Sequence, residues 1–398
     1  MFMNSYCTLI DKVYLIRWLT MYHSLIEKQK DMQLFVVAFD RRTYEAIQRL
    51  ELRDVILISQ EEVETHNPRL LNIKEVCTSV EYCWACVPAI IAHIFRFFEV
   101  KELVYLDSDL YFFSSPQILL DEFHASGKDV MLTRHFYSPA YAHQTDLAGD
   151  FNVQFMPFKN NVNGNEVLSW WQERCESSYL YPENGVFDDQ RSLTECVQVF
   201  DCIYILQNRC GGVAPWNVQQ YKVEMGPTID SQLVVFFHFH ALRWFGDNRY
   251  AMPADFYELN RDVHIYIYWT YIDALKKSLS EIREKADDKF SLGIKESEYA
   301  DTIVIFGTGK MGIAFFEYLS QLNCQDAVVA FCDNNSSKWG GSIYEREIKS
   351  VEACIKQYPE AQYVVTGKYV KEMENQLITL GISNILSEVS LKVYTCEC

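Results

Sequence analysis

The sequence predicts an α/β protein, and three observations support this prediction. Short apolar runs that favour buried strands alternate with stretches of helical periodicity in the N-terminal part of the chain. Such alternation is typical of a mostly parallel sheet with helices on both faces. A second strand–helix alternation begins at Asp301, after a polar stretch. The 398 residues are therefore expected to form a domain at 1–285, a linker at 286–300 and a smaller domain at 301–398.

The individual elements follow from apolar periodicity. In the first part of the chain we expect strands at 6–9, 34–39, 55–58 and 103–106, and helices at 11–28, 44–50 and 81–98. Further along we expect strands at 130–133, 152–158 and 233–240, a helix at 165–175 and a helical extension at about 258–285. In the C-terminal domain we expect strands at 302–306, 327–332 and 363–366, and helices at 312–322 and 370–380.

Composition limits the classes of partner. The net charge of −18 argues against a polyanion bound through a basic surface, so we expect no nucleic acid partner. If the substrate carries phosphates, a metal ion must supply the compensating charge. Aromatic residues make up 15% of the chain, which suits sugar or nucleoside sites as well as large cores.

Cysteine usage and hydropathy indicate the compartment. Thirteen cysteines in so long a chain are not a small-domain disulfide framework. With no signal peptide in view, we interpret them as reduced thiols of a cytoplasmic protein. No apolar run reaches the roughly 18–20 residues that span a bilayer. We therefore expect no transmembrane segment, while peripheral attachment to a membrane stays open.

Two carboxylates stand at the end of a predicted central strand. The apolar run at 103–106 ends abruptly in Asp107, Ser108 and Asp109. Ligands of open α/β sheets bind at the carboxyl ends of strands. Residues two apart in extended backbone point to one side, so Asp107 and Asp109 can converge on one hard cation. The alternative is a solvated turn at the strand end.

Two later segments can complete a metal and diphosphate site. They are the Asp188–Asp189–Gln190 cluster and the pair His238 and His240 at the end of an apolar strand. Two carboxylates and one imidazole suit Mn²⁺ or Mg²⁺, which would neutralise charge on a departing diphosphate. Arg243 could add a second positive contact to a phosphate. Alternatively, one histidine faces the core, and the two aspartates begin a helix as an N-cap.

The order of these motifs resembles a known group of enzymes. The segment from Tyr105 to Pro116, with Asp-x-Asp followed by Leu-Tyr-Phe, is similar to that of GT-A-fold glycosyltransferases. It most resembles the retaining glycogenin and lipopolysaccharide galactosyltransferase-like family. The resemblance implies a GT-A-like mixed, mostly parallel sheet, with Asp107 and Asp109 binding Mn²⁺ and the donor diphosphate beside Ser108. It also implies His238 as the third ligand.

Further matches extend this resemblance over roughly residues 1–250. Arg243 stands approximately where the family has a phosphate-binding lysine. Asn152 begins a segment similar to the Asn-x-Gly strand that borders the sugar site, although Gln154 replaces the glycine. The family's Asp-Gln pair, which orients donor and acceptor, matches Asp189 and Gln190. By the same analogy, Tyr6 and Thr8 contact the nucleobase.

The resemblance implies an enzyme of the hexosyltransferase type. Its donor would be a nucleotide sugar, with a UDP-sugar favoured, and its acceptor a glycan, a glycolipid or a protein. It implies retention of anomeric configuration, in which the leaving diphosphate can accept the acceptor's proton. An inverting enzyme would instead need a base, and Asp189 would be the first candidate.

A glycine-rich turn marks the C-terminal domain. Gly307, Gly309 and Gly312 follow a predicted strand and open a predicted helix, and Asp333 ends the next strand. This arrangement is typical of a nucleotide-binding half of a Rossmann-like unit. The small Rossmann-like modules of some sugar-modifying enzymes and glycosyltransferases are similar, and a purely structural or assembly role is the alternative.

Three other functions stay open. An NAD-dependent oxidoreductase could use the C-terminal unit, although no substrate domain follows it. An aspartyl-phosphate hydrolase could use Asp107 and Asp109, although that chemistry favours Thr or Val where Tyr111 stands. A non-catalytic nucleotide-sugar-binding protein could keep the fold without turnover.

Overall fold

The structure is a computed structural model that describes residues 3–180, 190–246, 249–253, 256–287, 302–321, 325–366 and 369–386. These residues form two compact units. The first contains the described residues up to 242 and those at 249–287. The second contains 243–246 and the described residues from 302 onward. Most of the linker predicted at 286–300 lies outside the described residues.

The strands between residues 4 and 251 are short, and most are buried. They are β1 (Asn4–Ile10), β2 (Met32–Ala38), β3 (Val55–Ser59), β4 (Glu102–Leu106), β5 (Leu110–Phe112), β6 (Val130–Arg134), β7 (Phe151–Asn152), β8 (Phe155–Lys159), β9 (Ile203–Ile205), β10 (Gly211–Val213), β11 (Val223–Glu224), β12 (Thr228–Ile229), β13 (Gln232–Leu233), β14 (Phe236–His238), β15 (Arg243–Gly246) and β16 (Arg249–Ala251). Of these, β15 belongs to the second unit.

The main sheet of the first unit has the order β3-β2-β1-β4-β8-β6-β7, with β9 paired to β6. Strands β3, β2, β1 and β4 run parallel, whereas β8 is antiparallel to both β4 and β6. The prediction of a mixed α/β fold with a mostly parallel sheet is therefore confirmed. The order brings the carboxyl end of β4 to the middle of the sheet, beside the start of β8.

Helices surround this sheet. They are α1 (Leu15–Lys28), α2 (Arg41–Leu50), α3 (Gln60–His66), α4 (Arg69–Val76), α5 (Ser79–Phe97), α6 (Gln117–Ser126), α7 (Thr145–Ala148), α8 (Val162–Leu180), α9 (Ser192–Val199), α10 (Arg261–Val263) and α11 (Trp269–Lys285), with a π-helical turn at His264–Tyr268. The main core contains Phe35, Ile90, Leu103, Phe158 and Trp171, from three strands and from α5 and α8. Burial of such apolar side chains is the main force that holds helices on a sheet.

The ends of several elements differ from the sequence predictions for local reasons. Helix α1 begins at Leu15 and not at 11, because the Asp11 carboxylate accepts hydrogen bonds from the backbone N–H groups of Val13 and Tyr14. Helix α5 begins at Ser79, after a capping box between Thr78 and Glu81. The strand predicted at 152–158 is two strands, β7 and β8, because the Asn152 side chain accepts the N–H of Gln154 and turns the chain.

Two smaller sheets complete the first unit. One has the order β10-β14-β5, in which β10 is parallel and β5 antiparallel to β14. Its register places His238 opposite Leu110, next to the turn between β4 and β5. The other sheet is the antiparallel set β11-β12-β13. The strand predicted at 233–240 is thus divided between β13 and β14.

Helix α5 also passes a length and composition test for a membrane span. It has 19 residues with a mean hydropathy of 1.3, although no apolar run of that length is expected from the sequence. In the apolar stretch of 18 residues that passes the test, 56% is buried. Helix α5 also supplies Ile90, Ile91 and Ile94 to the main core. Core helices pass the same test when they are mostly buried, so this one helix is weak evidence for a span.

The second unit has its own sheet and core. Its further strands are β17 (Ile303–Phe306), β18 (Val328–Cys332), β19 (Ser342–Ile343), β20 (Arg346–Lys349), β21 (Gln362–Val365) and β22 (Ile385–Leu386), in the order β19-β20-β18-β17-β21-β22. All pairs are parallel except β19 with β20. Its helices are α12 (Lys310–Gln321), α13 (Val351–Gln357) and α14 (Val370–Thr379).

Candidate metal centre

The three predicted metal ligands lie together in the structure. Asp107 follows β4, Asp109 precedes β5, and His238 ends β14. One potential ligand atom from each residue lies within 4.8 Å of the other two. Nε2 of His238 is 3.1 Å from Oδ1 of Asp109 and 3.9 Å from Oδ2 of Asp107. Two carboxylates and an imidazole that converge in this way fit Mn²⁺ or Mg²⁺.

Backbone hydrogen bonds hold the turn that carries the carboxylates. The N–H of Asp107 donates to the carbonyl of Gln154 at 3.1 Å, which ties the end of β4 to the entry of β8. The N–H of Phe239 donates to the carbonyl of Asp109 at 3.0 Å, which ties the turn to the end of β14. The two carboxylates therefore sit on a turn that is tied to neighbouring strands and not on a free loop, so their spacing is preorganised.

Burial and the neighbouring imidazole shift the pKa values of the two carboxyl groups in opposite directions. Burial raises the pKa of Asp107 to about 6, and the charge of His238 offsets only part of this rise. Burial would also raise the pKa of Asp109. There, however, the charge and hydrogen bond of His238 outweigh burial and lower the pKa to about 2. A bound cation would favour the ionised form of both groups.

A buried arginine missed by the sequence analysis lies near the centre. Arg17 of α1 is 6% exposed, and its Nη2 donates to the carbonyl of Leu242 at 2.6 Å. Its charge contributes, after that of His238, to the lowered pKa of Asp109. The only sequence signal was a cation among the apolar positions of a predicted helix, and such a residue usually reaches solvent.

A glutamine supports the imidazole from behind. Nδ1 of His238 lies 2.9 Å from Oε1 of Gln154, which is fully buried. The N–H of Gln154 donates to Oδ1 of Asn152 at 2.8 Å, and Nδ2 of Asn152 lies 3.0 Å from Nε2 of His135. Asn152 is therefore buried beside the centre with both amide atoms engaged. The sequence signal for Gln154 was its place where the resembling family has glycine.

An aromatic side chain covers the other face of the histidines. The ring of Trp216, in the loop after β10, meets the rings of His238 and His240 edge-on. The distances between ring centroids are 5.2 Å to His238 and 5.5 Å to His240. Nε1 of Trp216 donates to the carbonyl of His135 at 2.9 Å, which fixes the indole. Burial lowers the pKa of His240, which favours a neutral ring.

The other predicted site residues lie in varied places. Ser108 is buried between the two aspartates, whereas Tyr6 and Thr8 lie inside β1 with fully buried side chains. Gln190 lies just before α9 and is partly exposed, while Asp188 and Asp189 lie outside the described residues. Arg243 lies in β15, but its side chain is outside the described part of the structure.

The glycine-rich turn of the second unit follows β17 and packs against the end of the neighbouring strand β21. Gly307 has a φ of +117°, and a Cβ there would lie 2.0 Å from the carbonyl oxygen of Thr366. A Cβ at Gly312 would lie 2.0 Å from the carbonyl oxygen of Gly307. At Gly309 a Cβ would meet nothing within 4 Å. The first and third glycines thus permit tight packing, and the second faces open space.

Comparison of the sequence finds similar but unassigned proteins. No family model matches the chain. It is 26% identical over 291 residues to the uncharacterized protein YfnD of Bacillus subtilis (strain 168), covering 71% of this chain and 92% of that protein. It is 27% identical over 252 residues to the uncharacterized protein YfnF of the same organism, covering 60% of this chain and 82% of that protein.

Comparison of the structure finds solved glycosyltransferases at low identity. With the galactosyltransferase LgtC the TM-score is 0.43 at 15% identity, over 69% of this chain and 96% of that one. With mouse xyloside xylosyltransferase 1 the TM-score is 0.41 at 14% identity, over 60% of this chain and 97% of that one. With the glycosyltransferase GlyE of Streptococcus pneumoniae TIGR4 it is 0.43 at 12% identity, over 97% of this chain and 91% of that one.

Proposed function

We propose that this protein is a metal-dependent glycosyltransferase of the GT-A type. It would move a hexose from a nucleotide sugar, with a UDP-sugar favoured, to a glycan, glycolipid or protein acceptor. The observation that carries the proposal is the convergence of Asp107, Asp109 and His238 within 4.8 Å at the carboxyl end of β4. This is the sheet edge where α/β proteins place their ligands.

The residues present suit a divalent cation. Asp107, Asp109 and His238 would hold Mn²⁺ or Mg²⁺ and leave other coordination positions to donor oxygens. When bound, such an ion neutralises charge that develops on the leaving diphosphate. Backbone ties at Asp107 and Asp109 hold the carboxylates in place, so little reorganisation is needed when a ligand arrives.

We assign the remaining roles by resemblance. Ser108 and Asn152 would contact the donor sugar or its phosphates, and Tyr6 and Thr8 would lie on the nucleobase side. Asp189 and Gln190 would orient donor and acceptor. We further propose retention of configuration, which NMR of the product's anomeric proton would test: a β-linked product from an α-linked donor would contradict it.

The turn at Gly307, Gly309, Gly312 and Asp333 supports a second proposal for the smaller unit. We propose that the residues from 301 onward form a separate domain of the nucleotide-binding type, with the open space at Gly309 supporting close approach of a phosphate. NADH fluorescence with the whole protein tests the oxidoreductase alternative. Saturable NADH binding, with no response to UDP-sugars, would favour that alternative.

A matched pair of variants tests the metal centre. Asp109→Asn keeps the shape of the side chain but removes a charge that a divalent ion needs. Asp146→Asn changes an exposed aspartate in α7 and is the control. We expect Mn²⁺-dependent thermal stabilisation by UDP-sugars, and Mn²⁺-dependent donor hydrolysis, in the wild type and in the control. Both should be lost in Asp109→Asn, and their retention there would contradict the proposal.

A further inference from the structure

We propose that Gln154 is a positioning residue that fixes the tautomer and the ring orientation of His238 for cation binding. This inference rests on the proposed function, because it assumes that His238 is the third ligand of the same metal centre. Its basis is the 2.9 Å contact between Nδ1 of His238 and Oε1 of Gln154, made by two side chains that are both buried.

The contact determines which nitrogen atom can bind a cation. A carbonyl oxygen only accepts hydrogen bonds, so Oε1 of Gln154 requires the hydrogen of His238 to be on Nδ1. Nε2, which faces the two carboxylates, is then the nitrogen whose lone pair a cation can take, in place of the proton of its hydrogen bond to Asp109. Imidazole ligands of metal ions generally need such an acceptor behind the ring.

Two neighbours fix the orientation of the Asn152 amide, which anchors Gln154. Nδ1 of His135 lies 3.1 Å from the carbonyl of Gly149, so that nitrogen carries the hydrogen and Nε2 accepts. Nδ2 of Asn152 must therefore donate to His135, which leaves Oδ1 of Asn152 for the N–H of Gln154. That backbone group can only donate, so both neighbours of Asn152 require the same orientation of its amide. Gln154 is thus anchored through its backbone while its side chain reaches His238.

Stability alone does not explain the glutamine. Its Nε2 is buried without a hydrogen-bond partner among the described residues, and such a group costs free energy. The chain also makes room for it at Gly212, which has a φ of +123°, because a Cβ there would lie 3.1 Å from that Nε2. An apolar side chain of similar size would avoid this cost. The feature that only an acceptor supplies is the contact with His238.

Two substitutions at the same position separate the acceptor from the packing. Gln154→Leu keeps a similar volume and removes the acceptor, whereas Gln154→Glu keeps an acceptor at the same place. The affinity of the whole protein for Mn²⁺ alone is measured by isothermal titration calorimetry, and the thermal midpoint is measured in parallel. We expect Gln154→Leu to weaken Mn²⁺ binding by about 10- to 100-fold with little change in midpoint. Gln154→Glu should bind within about threefold of the wild type or more tightly.

A double-mutant cycle with His238→Ala tests the route of the effect. If Gln154 acts through His238, Gln154→Leu should not weaken Mn²⁺ binding further in the His238→Ala background. Equal weakening in both backgrounds, wild-type affinity in Gln154→Leu, or weak binding in Gln154→Glu would each overturn the inference and leave the proposed function standing. If His238→Ala binds Mn²⁺ as tightly as the wild type does, the proposed centre and this inference both fail.

Discussion

The buried imidazole of His135 should make the stability of the first unit depend on pH. His135 is 3% exposed, and burial lowers its pKa from 6.5 to about 3. In the unfolded chain it would titrate near its ordinary value of about 6.5. As the pH falls below that value, the unfolded state takes up a proton that the folded state does not. The free energy of unfolding therefore falls on acidification.

The size of the effect follows from this difference in pKa. One pKa unit corresponds to about 1.4 kcal/mol, and the folded imidazole is still neutral at pH 5. Because pH 5 lies about 1.5 units below the pKa of about 6.5 in the unfolded state, protonation stabilises that state at pH 5 and hardly at all at pH 7.5. His135 alone should therefore cost about 2 kcal/mol of unfolding free energy over that interval.

The assay compares urea unfolding at pH 7.5 and pH 5, followed by tryptophan fluorescence. His135→Asn can still donate to the carbonyl of Gly149 but cannot titrate. His143→Asn, at an exposed position, is the control. The wild type and the control should lose about 2 kcal/mol more between the two pH values than His135→Asn does. An equal loss in all three proteins would refute the assignment of His135 as a buried neutral ring.

Two further predictions concern local structure. Gly307→Ala should strongly destabilise the second unit, because its Cβ would lie 2.0 Å from the carbonyl oxygen of Thr366, whereas Gly309→Ala should be tolerated. Limited proteolysis would compare the two variants, and equal protection would contradict the geometry. Thr78→Ala should cost about 1 kcal/mol of unfolding free energy, because it breaks the capping box with Glu81. Urea unfolding measures this loss, and an unchanged midpoint would show that the cap contributes nothing.

The three candidate metal ligands could be predicted because local features mark them. Asp107 and Asp109 interrupt an apolar run, and a buried charge needs a partner. His238 closes another apolar run, so its place at a strand end could also be expected. Alternation of strands and helices likewise predicted the parallel part of the sheet. Each of these signals lies within a few residues of the feature it predicts.

The supporting residues could not be predicted, because they depend on pairing between distant segments. Gln154 reaches His238 only because β8 lies beside β4, and β14 pairs with β5. The break between β7 and β8 is hidden in a strand-like segment in which polar and apolar residues alternate, since it results from one side-chain hydrogen bond of Asn152. Arg17 is in turn held by a carbonyl 225 residues away in the chain. Such contacts follow from topology and leave no local pattern.

The carboxylate of Asp333 fits two explanations, a contact with a bound nucleotide or a structural role in the glycine-rich turn. Its Oδ1 accepts the N–H of Asn335 at 2.9 Å, and its Oδ2 accepts the N–H of Thr308 at 3.2 Å and Nζ of Lys338 at 2.8 Å. Burial alone would raise the pKa of this carboxyl, but the hydrogen bonds from Lys338 and Thr308 lower it. A phosphate that accepted the N–H of Thr308 would displace its hydrogen bond to Asp333, whereas Oδ1 of Asp333 has a lone pair left for a ribose hydroxyl. A phosphate at the turn and Asp333 would therefore compete for the same backbone donor.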